Sequence, residues 1–324
     1  MKRSKLMLVF ATLACAFASS AGAVADDYPN KPIRLIVPFA PGGGNDTLAR
    51  IFSLKMSESF GTVVVENRPG AGTTLASGQV ARSAADGYTL LLSSIASHAV
   101  SPLLYRNVSY DPIKDFAPVA LIGIAPVIMA VNNDVAAKSV SEFVAAAKAK
   151  PGEFKFGSGG VGSVMHTAGL AFSQAAGVEM LHVPYKGAGP AYVALMAHEV
   201  DLVIDTAAAL LPYTGTGTGK VRGLAIARKS RLPEAPDLPT FAEAGLPAFE
   251  ANGWYSIHAP AGTPPEIVAK LNKEIIRIGN LPDVRERLRQ LGTETVADNT
   301  PERLTAFVQS EIEKYKKIIK EPIQ

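Results

Sequence analysis

The chain alternates short apolar runs with longer stretches of helical period. Ile33–Val37 is an apolar run of strand length. It ends in Pro38-Phe39-Ala40-Pro41-Gly42-Gly43-Gly44, which can neither continue a strand nor start a helix. Asn45 or Asp46 can cap the helix predicted over 47–60. Next come a strand at 63–66, a helix at 73–85, the turn Asp86-Gly87 and a strand at 88–92. Strand-helix-strand units of this kind build a mostly parallel sheet with right-handed crossovers.

The middle repeats that logic. A strand is predicted at 127–131, and Ser139 caps a helix running to 148. A short strand at 154–156 leads into the loop 157–162, a helix at 166–176 and a strand at 180–183. A helix at 191–198 and strands at 202–204 and 222–227 follow. The 228–239 segment holds Pro233, Pro236 and Pro239 and reads as a surface excursion. After a strand at 254–258, helices are predicted at 265–279, 282–290 and 301–319. The last carries Leu304, Phe307, Val308, Ile312, Tyr315 and Ile319 at helical spacing. Two α/β units followed by a helical block predict two lobes with crossings near 126 and 252. Residues 26–125 and 252–324 would form lobe 1, and 126–251 lobe 2.

The N-terminus bears on the compartment. Lys2, Arg3 and Lys5 precede an uncharged apolar run over 6–18, too short to span a bilayer. Ala23-Val24-Ala25 has the small-x-small pattern of a cleavage site, so 1–25 reads as a removable signal peptide. Cleavage is expected before Asp26, with Val24 as the alternative. Cys15 lies inside this segment, and a lipoprotein signal would want Leu or a similar residue where Thr12 stands. Cleavage after Ala25 would remove the chain's single cysteine, excluding disulfides and thiolate metal sites in the mature protein.

Maturation also changes the charge. The 32 basic and 29 acidic residues give +3, but three of the basic ones lie within 1–25. The mature chain is then formally neutral, which argues against nucleic acid as a partner. About 299 mature residues suit two domains. An apolar content of 48% with 7% aromatics describes an Ala/Val/Leu-built core.

Three glycine-rich loops sit between a strand and a helix. They are Gly42-Gly43-Gly44, the run from Gly157 to Gly162, and Lys186-Gly187-Ala188-Gly189. Glycines let backbone N–H groups approach a ligand closely, and a helix N-terminus adds about half a positive charge. One such loop merely turns the chain; three suggest a shared anion cleft. Gly157 to Gly162 formally matches G-x-G-x-x-G, but Glu179 precedes the following strand instead of ending it, against a dinucleotide site. Gly215 to Lys220 is one residue short of a P-loop, and Val221 stands in place of Ser/Thr.

His98, His166, His182, His198 and His258 form no metal-binding spacing, and no G-x-S-x-G elbow occurs. No metal, cofactor or catalytic residue is therefore expected. His166, just after Ser163, can bond a carboxylate or cap its helix. Asp205 ends the apolar run Asp201-Leu202-Val203-Ile204-Asp205 and can hold a ligand's ammonium or hydroxyl, or act as a structural cap.

Longer motifs carry a resemblance. They include Tyr28-Pro29-Asn30-Lys31-Pro32 running through the first strand to Gly44, then Asp46 and Ala49-Arg50. Val65-Glu66-Asn67-Arg68-Pro69-Gly70, Ala85-Asp86-Gly87-Tyr88, Tyr110-Asp111-Pro112 and Asp115-Phe116-Ala117-Pro118 follow. His182-Val183-Pro184-Tyr185-Lys186-Gly187, Leu238-Pro239-Thr240-Phe241, Trp254-Tyr255 and Ala259-Pro260-Ala261-Gly262 complete the set. Across the mature length the chain resembles the Bug-type extracytoplasmic solute receptors, the binding components of tripartite tricarboxylate transporters.

That resemblance implies a two-lobed periplasmic-binding-protein (Venus flytrap) α/β fold, each lobe a mixed, mostly parallel sheet flanked by helices. It implies a periplasmic monomer that captures a small carboxylate between the lobes and delivers it to membrane permease subunits. Carried onto this sequence, the ligand residues are Phe39, Ala40, Gly42, Gly43 and Asp46 from the first loop, and Ser94 and His98 from 93–98. From the second lobe come Ser158, Gly159, Gly162, Ser163 and His166, then Tyr185, Lys186 and Gly187, and Asp205. Gly44-Asn45 departs from the pattern, since many relatives carry a small polar Ser or Thr just before the Asp. Delivery to a signalling partner, or a periplasmic enzyme acting on a carboxylate, would be the rival readings.

Overall fold

One strand ties the molecule together. In this computed structural model, which describes residues 28–42, 44–214, 221–296 and 299–319, it is β4 (Phe116–Asn132). The expected signal peptide over 1–25, Gly43 and the 215–220 run lie outside the described residues.

Before it come β1 (Ile33–Val37), α1 (Gly44–Phe60), β2 (Val63–Asn67), α2 (Thr74–Ala81) and β3 (Thr89–Ser94). A π-helical turn, Ala96–Val100, then leads into α3 (Ser101–Leu104). After β4 come α4 (Val140–Ala149), β5 (Lys155–Ser158), α5 (Val164–Ala176), β6 (Leu181–Pro184), α6 (Ala188–Met196), β7 (Leu202–Thr206), α7 (Ala207–Thr214) and β8 (Val221–Ile226). The chain then runs through β9 (Asn252–Pro260), α8 (Pro265–Gly279), α9 (Pro282–Gln290) and α10 (Pro301–Ile318).

The order β2-β1-β3-β9-β4 forms one sheet and β4-β7-β5-β6 the other, with β8 also paired to β4. Residues 116–126 of β4 pair with β9, and 127–132 pair with β7 and β8. The strand therefore passes from one sheet to the other at Pro126/Val127. Outer pairs such as β1–β3 and β5–β6 are parallel, as expected for strand-helix-strand units. Pairs made by β4 and β9 are antiparallel, so the sheets are less parallel than expected. Both strands enter their sheets without the helical crossover that parallel neighbours need.

Each sheet has its own core. Leu35, Val37, Phe52, Leu90, Ile257 and Leu271 belong to one cluster, and Phe143, Phe156, Phe172, Leu202 and Phe241 to the other. Helix α8 shows how sequence builds this packing. Pro265 occupies its first turn, and Ile267, Leu271, Ile275 and Ile278 recur at helical spacing and are buried. Ser139 caps α4 as expected, its hydroxyl accepting from Glu142 N at 3.2 Å.

Candidate functional site: three glycine loops around two sheets

The first loop leaves β1 and starts α1 at Gly44, earlier than the cap expected at Asn45 or Asp46. Asp46 lies inside the first turn instead. Its carboxylate accepts from Gly42 N (2.9 Å), Arg50 Nε (3.0 Å) and Asn67 Nδ2 (3.0 Å). Asn67 Nδ2 also donates to Phe39 O at 3.1 Å. Burial disfavours the Asp46 charge, but the Arg50, Gly42 and Asn67 donors outweigh it and hold the carboxyl below its usual range. Asp46 thus fastens the loop to the end of β2. Phe39 is half-buried, and Ala40 and Gly42 are exposed at the rim. We expect Asp46→Ala to cost about 1–3 kcal/mol by orphaning these donors. An unchanged urea midpoint would show that the loop holds its shape without the carboxylate.

Tyr255 on β9 joins this loop to the second sheet. A Cβ at Gly44 would lie 3.0 Å from the Tyr255 hydroxyl. Across the ladder Tyr255 pairs with Ser94, which places both on one face of the sheet. The Ser94 hydroxyl and Asn45 Oδ1 are buried without hydrogen-bond partners. Asp205, at the end of β7, is close enough to raise the Tyr255 hydroxyl further after burial has done most of the work.

The Asp205 carboxylate accepts from Tyr192 Oη on α6 (2.5 Å) and Thr206 N (2.6 Å). Burial still leaves its proton affinity above the ordinary carboxylate range. Tyr255 therefore lies between the start of α1 and the Asp205–Tyr192 pair that ties β7 to α6.

The second and third loops touch each other. A Cβ on Gly159 would lie 3.0 Å from Ala188 N and 3.1 Å from the Gly187 carbonyl carbon. Tyr185 N donates to Ser158 O at 2.8 Å. Ser163 caps α5, its hydroxyl accepting from His166 N at 3.2 Å. His166 Nδ1 accepts from Gly162 N at 3.2 Å, so its ring supports the loop from within. His182, absent from the sequence-based set, completes the support. Its Nε2 lies 2.6 Å from Ser158 Oγ, and its ring is 4.2 Å from that of His166. Its nearness was hidden in sequence, because β5 and β6 align these residues only after pairing. Burial pulls the His182 imidazole down to about 4, and burial plus His182 does the same to His166.

Three expected residues sit apart from this group. His98 is fully buried against Phe116 and His258, with ring centroids 4.8 and 4.2 Å away. Ser93 Oγ lies 2.6 Å from His258 Nδ1, completing a second buried histidine pair. Tyr185 turns its hydroxyl to Glu199 at 3.5 Å, and Lys186 is exposed.

Gly159→Val would force the second and third loops apart. It is expected to weaken ligand affinity at least about tenfold, or about 1.4 kcal/mol, in a calorimetric titration. Unchanged affinity would remove these loops from the site.

Two mixed sheets sharing one long strand, with glycine loops at their strand ends, define the two-lobed periplasmic-binding-protein fold. The profile described as tripartite tricarboxylate transporter family receptor matches residues 48–323, and the chain belongs to that family of solute receptors. Protein BugT of Bordetella pertussis is 35% identical over 323 residues, covering 99% of this chain and 98% of BugT. An R. palustris protein solved with adipate superposes with a TM-score of 0.83 at 35% identity, over 91% of this chain and 98% of that one. MatC from Rhodopseudomonas palustris, solved with bound malate, gives 0.81 at 36% identity, over 90% of this chain and all of the other.

Proposed function

We propose that this chain is exported by its N-terminal signal, binds a small carboxylate between the lobes and delivers it to the permease subunits of a tripartite transporter. It does so as a monomer in the periplasm. The contact of the second and third glycine loops carries the reading. It brings the loop that leads into α5 against the first residues of α6, with little side-chain bulk between them. Backbone N–H groups at helix starts suit an anion. The adipate and malate of the two solved relatives are both dicarboxylates.

The lobes divide where β4 and β9 cross, so that 26–125 and 252–324 form one and 126–251 the other. The ligand touches both. Closure is then stabilised by contacts that exist only in the closed form. The first-loop residues Phe39, Ala40 and Gly42, with Ser94, line one side. Ser158, Gly159, Gly162, Ser163, His166, Gly187 and Asp205 line the other.

We read the chain as a receptor and not an enzyme. Ser158–His182 has the hydrogen-bond length of a nucleophile and base, but the Ser158 hydroxyl also bonds within its own loop, donating to Gly160 O and accepting from Gly160 N. Among the described residues no carboxylate hydrogen-bonds His182 to complete a triad. Among the described residues no helix is long and apolar enough to cross a membrane.

The test is a melting series. Residues 26–324, unfolded and refolded to strip carried ligand, are heated with a panel of carboxylates, amino acids and neutral solutes. A ligand at a hundred times its Kd stabilises by about 2.7 kcal/mol. A rise with one carboxylate class supports the proposal. A rise only with neutral or cationic solutes would refute the anion cleft.

A further inference from the structure

Strand β4 has two edges, and they face different parts of the molecule. A Cβ on Gly253 would lie 3.1 Å from Thr206 Cγ2, so β9 and β7 follow the same edge. The strands that carry the three glycine loops extend outward from that edge in both sheets. On the other edge, Glu294 exchanges both backbone hydrogen bonds with Ile124, at 2.9 and 2.7 Å. Strand β8 continues that edge in the second sheet, because β7 occupies the opposite one.

Two ion pairs close this rear side. Arg228, just after β8, pairs through Nε with Glu294. Arg289 of α9 pairs with Glu234 of the 228–239 excursion, and also with Glu286 of its own helix at 2.8 Å. Both inter-segment pairs join residues that follow β8 to residues of the C-terminal helical block. Arg228 Nη1 is buried without a partner. Beneath it lies a cleft of about 600 Å³ lined by Ile124, Pro126, Arg228, Phe249, Asn252 and Glu294. Packing at this rear face is therefore incomplete, and the ion pairs span the gap.

We propose that Arg228–Glu294 and Arg289–Glu234 form a rear brace that holds the lobes open. A rotation about β4 that brings the glycine loops together draws the opposite edge apart and stretches both pairs. Exposed ion pairs are individually weak. An opening equilibrium with nearly balanced states responds to a weak bias, and a ligand's apparent affinity follows the closed fraction. The brace would therefore tune affinity without touching the ligand. This inference rests on the two-lobed reading of the fold and needs no ligand for its test.

Spin labels on cysteines at exposed Ala40 and Lys186, with Cys15 replaced by serine, report the distance across the rim in the ligand-free protein. Glu234→Arg with Glu294→Arg sets like charges across the rear, and the rim distance is expected to shorten. Adding Arg289→Glu and Arg228→Glu recreates the pairs in reverse and should restore the wild-type distance. An unchanged or longer distance on charge reversal would overturn the brace. So would a swapped variant that fails to restore it. Should the double reversal unfold, Glu234→Gln with Glu294→Gln carries the same expected shortening, and an unchanged distance there is equally decisive. Because no ligand is present, failure here leaves the carboxylate reading to stand or fall on its own series.

Discussion

Acid is expected to unfold this protein well before its carboxylates are protonated. Four of the five histidines form two pairs, His98–His258 and His166–His182, each with ring centroids 4.2 Å apart, three of the rings buried and that of His182 half-buried. Burial is the main cause that lowers all four. His258 falls to about 3, His166 and His182 to about 4, and His98 lies well below its ordinary value, with His258 adding to the effect. A group neutral in the folded chain but charged when unfolded favours unfolding as pH falls through the unfolded value near 6.5. The loss continues down to the folded value and then stops. A histidine held at about 4 contributes about 2 kcal/mol less at pH 5 than at pH 7.5.

Both pairs add in the same direction, so the urea midpoint should fall steeply between pH 6.5 and 4. His166→Asn together with His182→Gln should flatten that slope. A midpoint unchanged from pH 7.5 to 5 would mean that the rings stay accessible to protons. The second pair also supports the 157–162 loop, so ligand affinity should hold while the folded rings stay neutral and fall only as the pH approaches about 4. Gly162 N–H loses its acceptor when His166 Nδ1 takes a proton.

Trp254→Ala is expected to cost about 3–5 kcal/mol, the range for emptying a buried aromatic site. Trp254 is fully buried on β9, opposite Ile124 at the level of the crossing. Its ring meets Phe307 of α10 at 5.5 Å, and its Nε1 donates to Glu311 at 3.1 Å. The surrounding cluster takes Ile95 and Leu104 from one side and Val161 and Val164 from the other sheet's connections. The substitution removes apolar burial and leaves the buried Glu311 carboxylate without its indole donor, with Lys314 still at 3.4 Å. Trp254→Phe keeps most of the volume and should cost clearly less. A cost below about 1 kcal/mol for alanine would show that the cluster collapses onto the gap.

Much of the architecture was legible because its signals are local. Helix α8 and the 301–318 helix announce themselves by apolar period and by proline at the first turn. What escaped was decided by partners distant in sequence. Strand β4 was expected only from 127, because Pro118, Gly123 and Pro126 look like breakers. In the structure Pro118 and Gly123 border irregularities of register, and Pro126 stands where the strand changes sheets. Helix α7 was missed because its run Ala207–Thr214 is short and carries Pro212.

The candidate site shows the same division. Its glycine loops were visible as composition between a strand and a helix. The neighbours that shape them, Tyr255, Tyr192 and His182, come from other strands and helices, and no spacing in the chain points to them. His98 looked like a loop residue beside Ser94, but the π-turn buries it against Phe116.

In the proposed closed receptor, one small carboxylate meets loops from both lobes. Backbone amide exchange, with and without the carboxylate that gives the largest melting rise, tests it most directly. Simultaneous protection in the loops at 39–46, 157–162 and 186–189 is the predicted result. Protection confined to one lobe, or to the rear segments at 228–239 and 292–296, would contradict a ligand held between the lobes.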